Sequence, residues 1–214
     1  MKHQHTNIFQ EINMVSCYWA GFLAADGSLI PQRNVVSIGL AEKDIDHLHK
    51  LQTVLSCGNP VTTRVNNAFG GHVRCDLQIT AARDLIESLG LNFNITSRKS
   101  LTLQPPSLKT EDNIRSFVRG YMDGDGYISQ YGGKNRPNTY VGFAGTRDVL
   151  QWIKEQIQRS VKVGNPSIYK HKNANVYQLI FGGRQAERIL DWLYADSTQS
   201  TRLDRKYKKY GEIT

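Results

Sequence analysis

The sequence predicts an α+β fold made of two pseudo-symmetric halves, each running αββαββα. Three observations carry this. Short segments recur in the same order in both parts of the chain. Stretches with helical apolar spacing are interleaved with pairs of strand-like stretches. The stretch His72–Thr80 alternates strictly, with Val73, Cys75, Leu77 and Ile79 on one face and His72, Arg74, Asp76 and Gln78 on the other.

The repeat sets the boundaries. "WAGFLAADGSL" (Trp19–Leu29) matches "VRGYMDGDGYI" (Val118–Ile128), and "VSIGLAEKD" (Val36–Asp44) matches "YVGFAGTRD" (Tyr140–Asp148). "CGNP" matches "VGNP", "LQITAARDLI" matches "LIFGGRQAERIL", and "TSRKS" (Thr96–Ser100) matches "LDRKY" (Leu203–Tyr207). The spacing between partners drifts, as loop insertions require. Residues 1–92 form the first half, 93–110 a linker marked by "QPPS", and 111–214 the second half with a basic, irregular C-terminal segment.

Each half reads in the same sequence of elements. A helix near Ile12–Ala25, and again near Glu111–Gly124, runs into an Asp-Gly pair. Two strands follow. The next helix carries Ile45, Leu48, Leu51, Val54 and Leu55 in the first half, and Val149, Leu150, Ile153 and Ile157 in the second. A strand pair opened by Gly-Asn-Pro comes next. A short helix near Ala81–Ser88, or Arg184–Tyr194, closes the half.

A formal charge of +8 over 214 residues and a pI near 9.4 point to a polyanionic partner, with nucleic acid ahead of a membrane surface. Cys17, Cys57 and Cys75 form no CxxC pair, which argues against a zinc knuckle or a disulfide framework. His47 and His49 are read as a solvated helix start. No apolar run approaches membrane-spanning length and the N-terminus shows no apolar signal core, so the expected setting is intracellular.

Chemistry concentrates at the two Asp-Gly helix ends. Gly21 and Ala25 on one helix, and Gly120 and Gly124 on the other, are small residues one turn apart that permit close helix packing. Such packing places Asp26 and Asp125 side by side, with Gly27 and Gly126 as left-handed helix stops. Backbone carbonyls already make a helix C-terminus negative, so acid there implies an arriving cation. Paired carboxylates suit a hard divalent cation, Mg²⁺ above all, and phosphodiester hydrolysis. Asp123 has no acidic counterpart, because Ala24 stands in its place, and is read as a structural cap.

These motifs resemble the paired signature of the LAGLIDADG homing endonucleases in their single-chain form, over essentially the whole chain. The resemblance implies a saddle of two four-stranded antiparallel sheets with the motif helices packed at the centre. It also implies a monomer that cuts both strands of a long DNA site, with Mg²⁺, or Mn²⁺ or Ca²⁺ in the same place. Metal is then held by Asp26 and Asp125 with the carbonyls of Ala25 and Gly124, while Lys99 and Lys206 assist the chemistry. The family often places a polar residue such as Gln where Ala41 and Ala144 stand here. Strand side chains enter the major groove, and the candidates are Gln32, Arg33, Arg64, Arg74, Gln78, Gln130, Arg136, Lys170 and Lys172. Tyr131, Tyr140 and Tyr169 are read as packing residues. The alternatives are an intron RNA-splicing maturase and a DNA-binding regulator without nuclease activity. The expected compartment is a bacterial or phage-infected cytoplasm, or an organelle.

Overall fold

The computed structural model describes residues 5–66, 72–132, 137–170 and 176–213. The first half runs α1 (Met14–Asp26), β1 (Gly27–Ile30), β2 (Val35–Ala41), α2 (Ile45–Val54), β3 (Val61–Asn66), β4 (His72–Ile79) and α3 (Arg83–Phe93), followed by a single turn, α4 (Lys99–Thr102). The second half repeats it with α5 (Glu111–Asp125), β5 (Tyr127–Tyr131), β6 (Asn138–Gly145), α6 (Arg147–Ser160), β7 (Ile168–Lys170), β8 (Tyr177–Gly182) and α7 (Arg184–Tyr194). It ends in α8 (Asp204–Gly211), where the sequence reading expected an irregular basic segment. Each half forms a four-stranded antiparallel sheet, ordered β1-β2-β4-β3 and β5-β6-β8-β7.

Alternation builds each core. Val36, Ile38, Cys75, Leu77 and Ile79 of the first sheet are buried with Leu48 and Leu51 of α2 and Leu85 and Leu89 of α3. Val141, Phe143, Leu179 and Phe181 do the same with Val149, Leu150 and Ile153 of α6 and Ile189 and Leu190 of α7. The opposite face is mainly polar in the first sheet and mainly aromatic in the second, with Ile30, Val35 and Ile180 as aliphatic members.

Helices α1 and α5 pack backbone to backbone. A Cβ on Gly21 would lie 2.1 Å from the Phe117 carbonyl oxygen, and one on Gly120 would lie 1.9 Å from that of Tyr18. No side chain fits at either place. Ser16 to Ala25 are all buried, so α1 is covered on every side, as an apolar-all-round helix must be. Its start is fixed by a reciprocal cap: Asn13 Oδ1 accepts from the Val15 and Ser16 amides, and Ser16 Oγ accepts from the Asn13 amide.

Gly27 and Gly126 do not stop their helices through a left-handed turn. Both are extended, with φ of −73° and −83°. They are small for another reason: a Cβ would strike the Leu23 carbonyl oxygen at 2.7 Å or that of Met122 at 2.5 Å.

Candidate functional site

Asp26 and Asp125 are the last residues of α1 and α5, and each hands the chain directly to the first strand of its sheet. Gly124 presses on the opposite helix, since a Cβ there would lie 2.4 Å from the Ala25 Cβ and 3.5 Å from the Asp26 nitrogen. The two acids therefore leave the seam together. Burial, then the like charge of Asp125, pushes the Asp26 carboxyl up to about 6, against the attraction of Lys206, Lys99 and Arg74. Desolvation raises Asp125 as well, opposed by Lys99 and Lys206.

Both lysines close on the helix ends. Lys99 Nζ donates to the Ala24 carbonyl at 2.8 Å and to that of Ala25. Lys206 Nζ lies 2.6, 2.9, 3.2 and 2.5 Å from the carbonyl oxygens of Met122, Asp123, Gly124 and Gly126. A positive group at a helix C-terminus answers the negative end of the macrodipole. Burial lowers the Lys206 ammonium to about 8 and shifts Lys99 downward too. The Ala25 and Gly124 carbonyls, read as metal ligands, thus already accept from ammonium groups. The two carboxylates are hard oxygen donors held close together and fit a divalent cation. Among the described residues, no group of three or more His, Cys, Asp and Glu side chains converges to hold one. A small cavity beside them is lined by Ala25, Lys99, Tyr121, Asp125 and Ala144. The Tyr121 hydroxyl donates to the Ala144 carbonyl there at 2.8 Å.

Asp123 is a buried hub rather than a cap. Its carboxylate accepts from the Tyr18 and Tyr194 hydroxyls and the Leu203 amide, all at 2.8 Å. These bonds lead the chain into α8 and so deliver Lys206. The α8 helix packs through Tyr207 and Tyr210 on Tyr194, with ring centroids 5.5 and 5.3 Å apart. Arg205 also grips Asp44 across the halves through three hydrogen bonds of 2.9–3.1 Å. His47 is not on a solvated helix start: it is buried among Tyr18, Trp19 and Phe22, with its Nε2 3.1 Å from the Tyr18 hydroxyl.

The outer faces of the sheets divide the strand candidates. Arg64, Arg74 and Gln78 stand on the outer face of the first sheet, and Gln32 and Arg33 lie exposed in the 3₁₀ turn between β1 and β2. Gln130 and Lys170 are exposed, but their registers with Thr139 and Tyr177 put them on the parity of Ile128 and Leu179, the core side. That corrects their reading as outer-face residues: each is a strand-end side chain that escapes the core at the sheet edge. Arg136 and Lys172 lie outside the described residues. Tyr131 and Tyr169 are 67% and 61% exposed, so they are not packing residues. Together with Tyr127 and Tyr140 they make the second sheet's outer face aromatic.

Sequence reasoning missed Asp76, a carboxylate between Arg74 and Gln78 on the polar face. It is buried and paired to both Arg64 and Arg74. The signal was an acid alternating with basic residues on one strand face.

Comparison with solved structures decides the architecture. Meganuclease I-SmaMI bound to uncleavable DNA superposes with a TM-score of 0.60 at 12% identity, covering 94% of this chain and 87% of that one. The chain has the LAGLIDADG fold. The LAGLIDADG homing endonuclease I-GzeII in complex with its DNA target gives 0.54 at 12% identity, covering 95% and 97% of the two chains. The N-terminal LAGLIDADG domain of DUF199/WhiA gives 0.54 at 17% identity, covering 94% and 88%. No protein-family model and no curated protein sequence matches the chain. Among the described residues, no helix is long and apolar enough to cross a membrane.

Proposed function

We propose that this protein is a site-specific, divalent-metal-dependent DNA endonuclease that cuts both strands of a long target as a monomer. The observation that supports this most is the pair of acids at the seam: Asp26 and Asp125 end two helices in backbone contact, and each charge is felt by both lysines. The saddle, the +8 charge and the likeness to endonucleases bound to DNA supply the context.

In this reading Asp26 and Asp125 hold the metal, and the structure of I-SmaMI with DNA and calcium ions is consistent with such a cation on this scaffold. The chemistry a bound divalent cation supplies is charge for the scissile phosphate and a more acidic attacking water. Lys99 and Lys206 keep positive charge at the helix ends, where the phosphorane charge develops. Arg64, Arg74, Gln78, Gln32 and Arg33 face the DNA from the first sheet, and the tyrosines from the second. Ala41 and Ala144 offer no side-chain donor, so ordering of the attacking water falls to backbone and lysine groups.

The test is selection of cleaved sites from randomised duplex DNA with Mg²⁺ and with a chelator. Enrichment of one long site, with Mg²⁺ only, is expected. Enrichment by binding without any cutting would instead favour a DNA-binding regulator, a reading that the lysine-capped carbonyls of Ala25 and Gly124 support. No enrichment of either kind overturns the proposal.

A further inference from the structure

We propose that Asp76 is a positioning residue that locks Arg64 and Arg74 into a rigid pair of donors for guanine, at base pairs beside the cleavage centre. This rests on the DNA reading above and extends it to how one half reads sequence.

The cluster is built against its own electrostatics. Arg64 and Arg74 are directly opposite each other on β3 and β4, a placement that like charges disfavour. Asp76 resolves it. Arg64 donates through Nε and Nη2 to Asp76 Oδ2 at 3.0 and 2.8 Å, and Arg74 donates through Nε to Oδ1 at 3.1 Å. The Asp76 side chain is 5% exposed, while those of Arg64 and Arg74 are 65% and 55% exposed. A buried acid beneath two open guanidinium groups contributes little as a surface ion pair, because such pairs are weak and burial costs the carboxylate its hydration. What it does provide is order. A free arginine loses rotamer entropy when it docks on a base, and here that loss has been taken in the fold.

The strand below is shaped for the cluster. Gly39 of β2 pairs with Asp76, and a Cβ on it would lie 2.3 Å from Asp76 Oδ1 and 2.4 Å from Arg74 Nε and Nη2. Glycine lets the acid and the guanidinium lie flat on the sheet. The bonds to Asp76 leave both terminal nitrogens of Arg74 for the bidentate contact that arginine makes with guanine O6 and N7.

Place in the sheet fixes which base pairs are meant. β1 starts immediately after Asp26 with Gly27 opposite Ile38, so β2 continues toward the seam and ends at Ala41, which pairs with Arg74. Arg74 is near enough to Asp26 to favour its ionised form. Among the described residues the second half lacks this acid: counted from the Asp-Gly ends, Ala144 stands in the place of Gly39 and Gln178 in that of Asp76. A guanine preference from this cluster therefore belongs to one side of the target only.

The experiment is site selection from randomised duplex DNA with Mg²⁺, using the full chain, Asp76→Asn and Gly39→Ala, with thermal unfolding of each. Wild type should prefer guanine at one or a few adjacent positions on one side of the centre. Asp76→Asn should lose that preference by on the order of tenfold to a hundredfold, leave the other positions unchanged, and regain part of it as Asp76→Glu. Gly39→Ala keeps every charge and displaces the cluster, so it should weaken the same positions even if Asp76→Asn fails to fold. An unchanged preference in a folded Asp76→Asn, or a loss spread evenly over the site, overturns the positioning role alone. A wild-type chain with no sequence preference overturns the DNA reading, and this inference with it.

Discussion

The two halves share one backbone plan and differ in what they place on it. At matching register positions on the outer faces, the first sheet sets Asp76 between Gly39 and Thr62, while the second sets Gln178 between Ala144 and Tyr169 and has its own glycine, Gly142, at the place of Ser37. Both glycines serve as floors. A Cβ on Gly142 would lie 2.2 Å from Tyr127 Cε1, so there an aromatic ring, not an ion cluster, lies across the strand. Beneath the sheets, His47 of α2 fills a place equivalent to that of Val149 of α6, and Asp123 of the second seam helix has Ala24 as its counterpart. Duplication preserved the packing period and the seam. Faces exposed to solvent differ most between the halves.

If the seam is the symmetric part, its glycines should be equally intolerant. Gly21→Ala and Gly120→Ala each force a methyl into an opposing carbonyl, and each should cost about 3 kcal/mol or more in urea unfolding. A benign result at one and a severe one at the other would break the symmetry. The lysines should be unequal. Lys206→Met removes a buried ammonium shared by four carbonyls and should cost about 2–3 kcal/mol, whereas Lys99→Met, which frees two, should cost about 1 kcal/mol.

The acid side of the stability profile should distinguish His47 from its apolar counterpart. Burial, with Lys50 and Lys206 nearby, lowers His47 to about 3 from an ordinary 6.5. Between those values the unfolded chain binds a proton that the fold refuses, so stability falls as pH is lowered, by up to about 1.4 kcal/mol per pH unit. Asp26 works in the opposite sense: with its carboxyl raised to about 6, its contribution is complete below about 3.8 and is lost as pH rises through 6. His47→Val should flatten the acid decline in a pH series of thermal melts and remove a buried Nδ1 that has no partner among the described residues. An unchanged slope would show that His47 is not the neutral buried group described. Smallest of all, Tyr131→Ala and Tyr169→Ala should change stability by less than about 0.5 kcal/mol, since both rings are exposed. In a binding titration the same variants should weaken affinity for the selected duplex, and full affinity would remove the second face from the interface.

Much of this was legible because it is periodic or repeated. The small residues at 21, 25, 120 and 124 marked the seam, and apolar spacing marked α2 and α6 to within three residues at each end. What escaped depends on partners distant in sequence. The α8 helix read as irregular because its apolar face, Tyr207 and Tyr210, acquires a purpose only against Tyr194. Gln130 and Lys170 read as outer-face residues because no local pattern fixes the parity of a strand end. His47 read as solvated because the rings of α1 that enclose it lie 25 or more residues earlier. Asp76 was visible as an acid on a basic face, but the arginine opposite Arg74 is revealed only by the β3–β4 register.

The central claim is that two acids, one from each half, act together on one duplex. Asp26→Asn and Asp125→Asn, assayed separately on plasmid carrying the selected site with Mg²⁺, test it directly. Each variant should bind the site with near wild-type affinity and fail to linearise the plasmid. Linearisation by either variant at the wild-type rate would contradict the account.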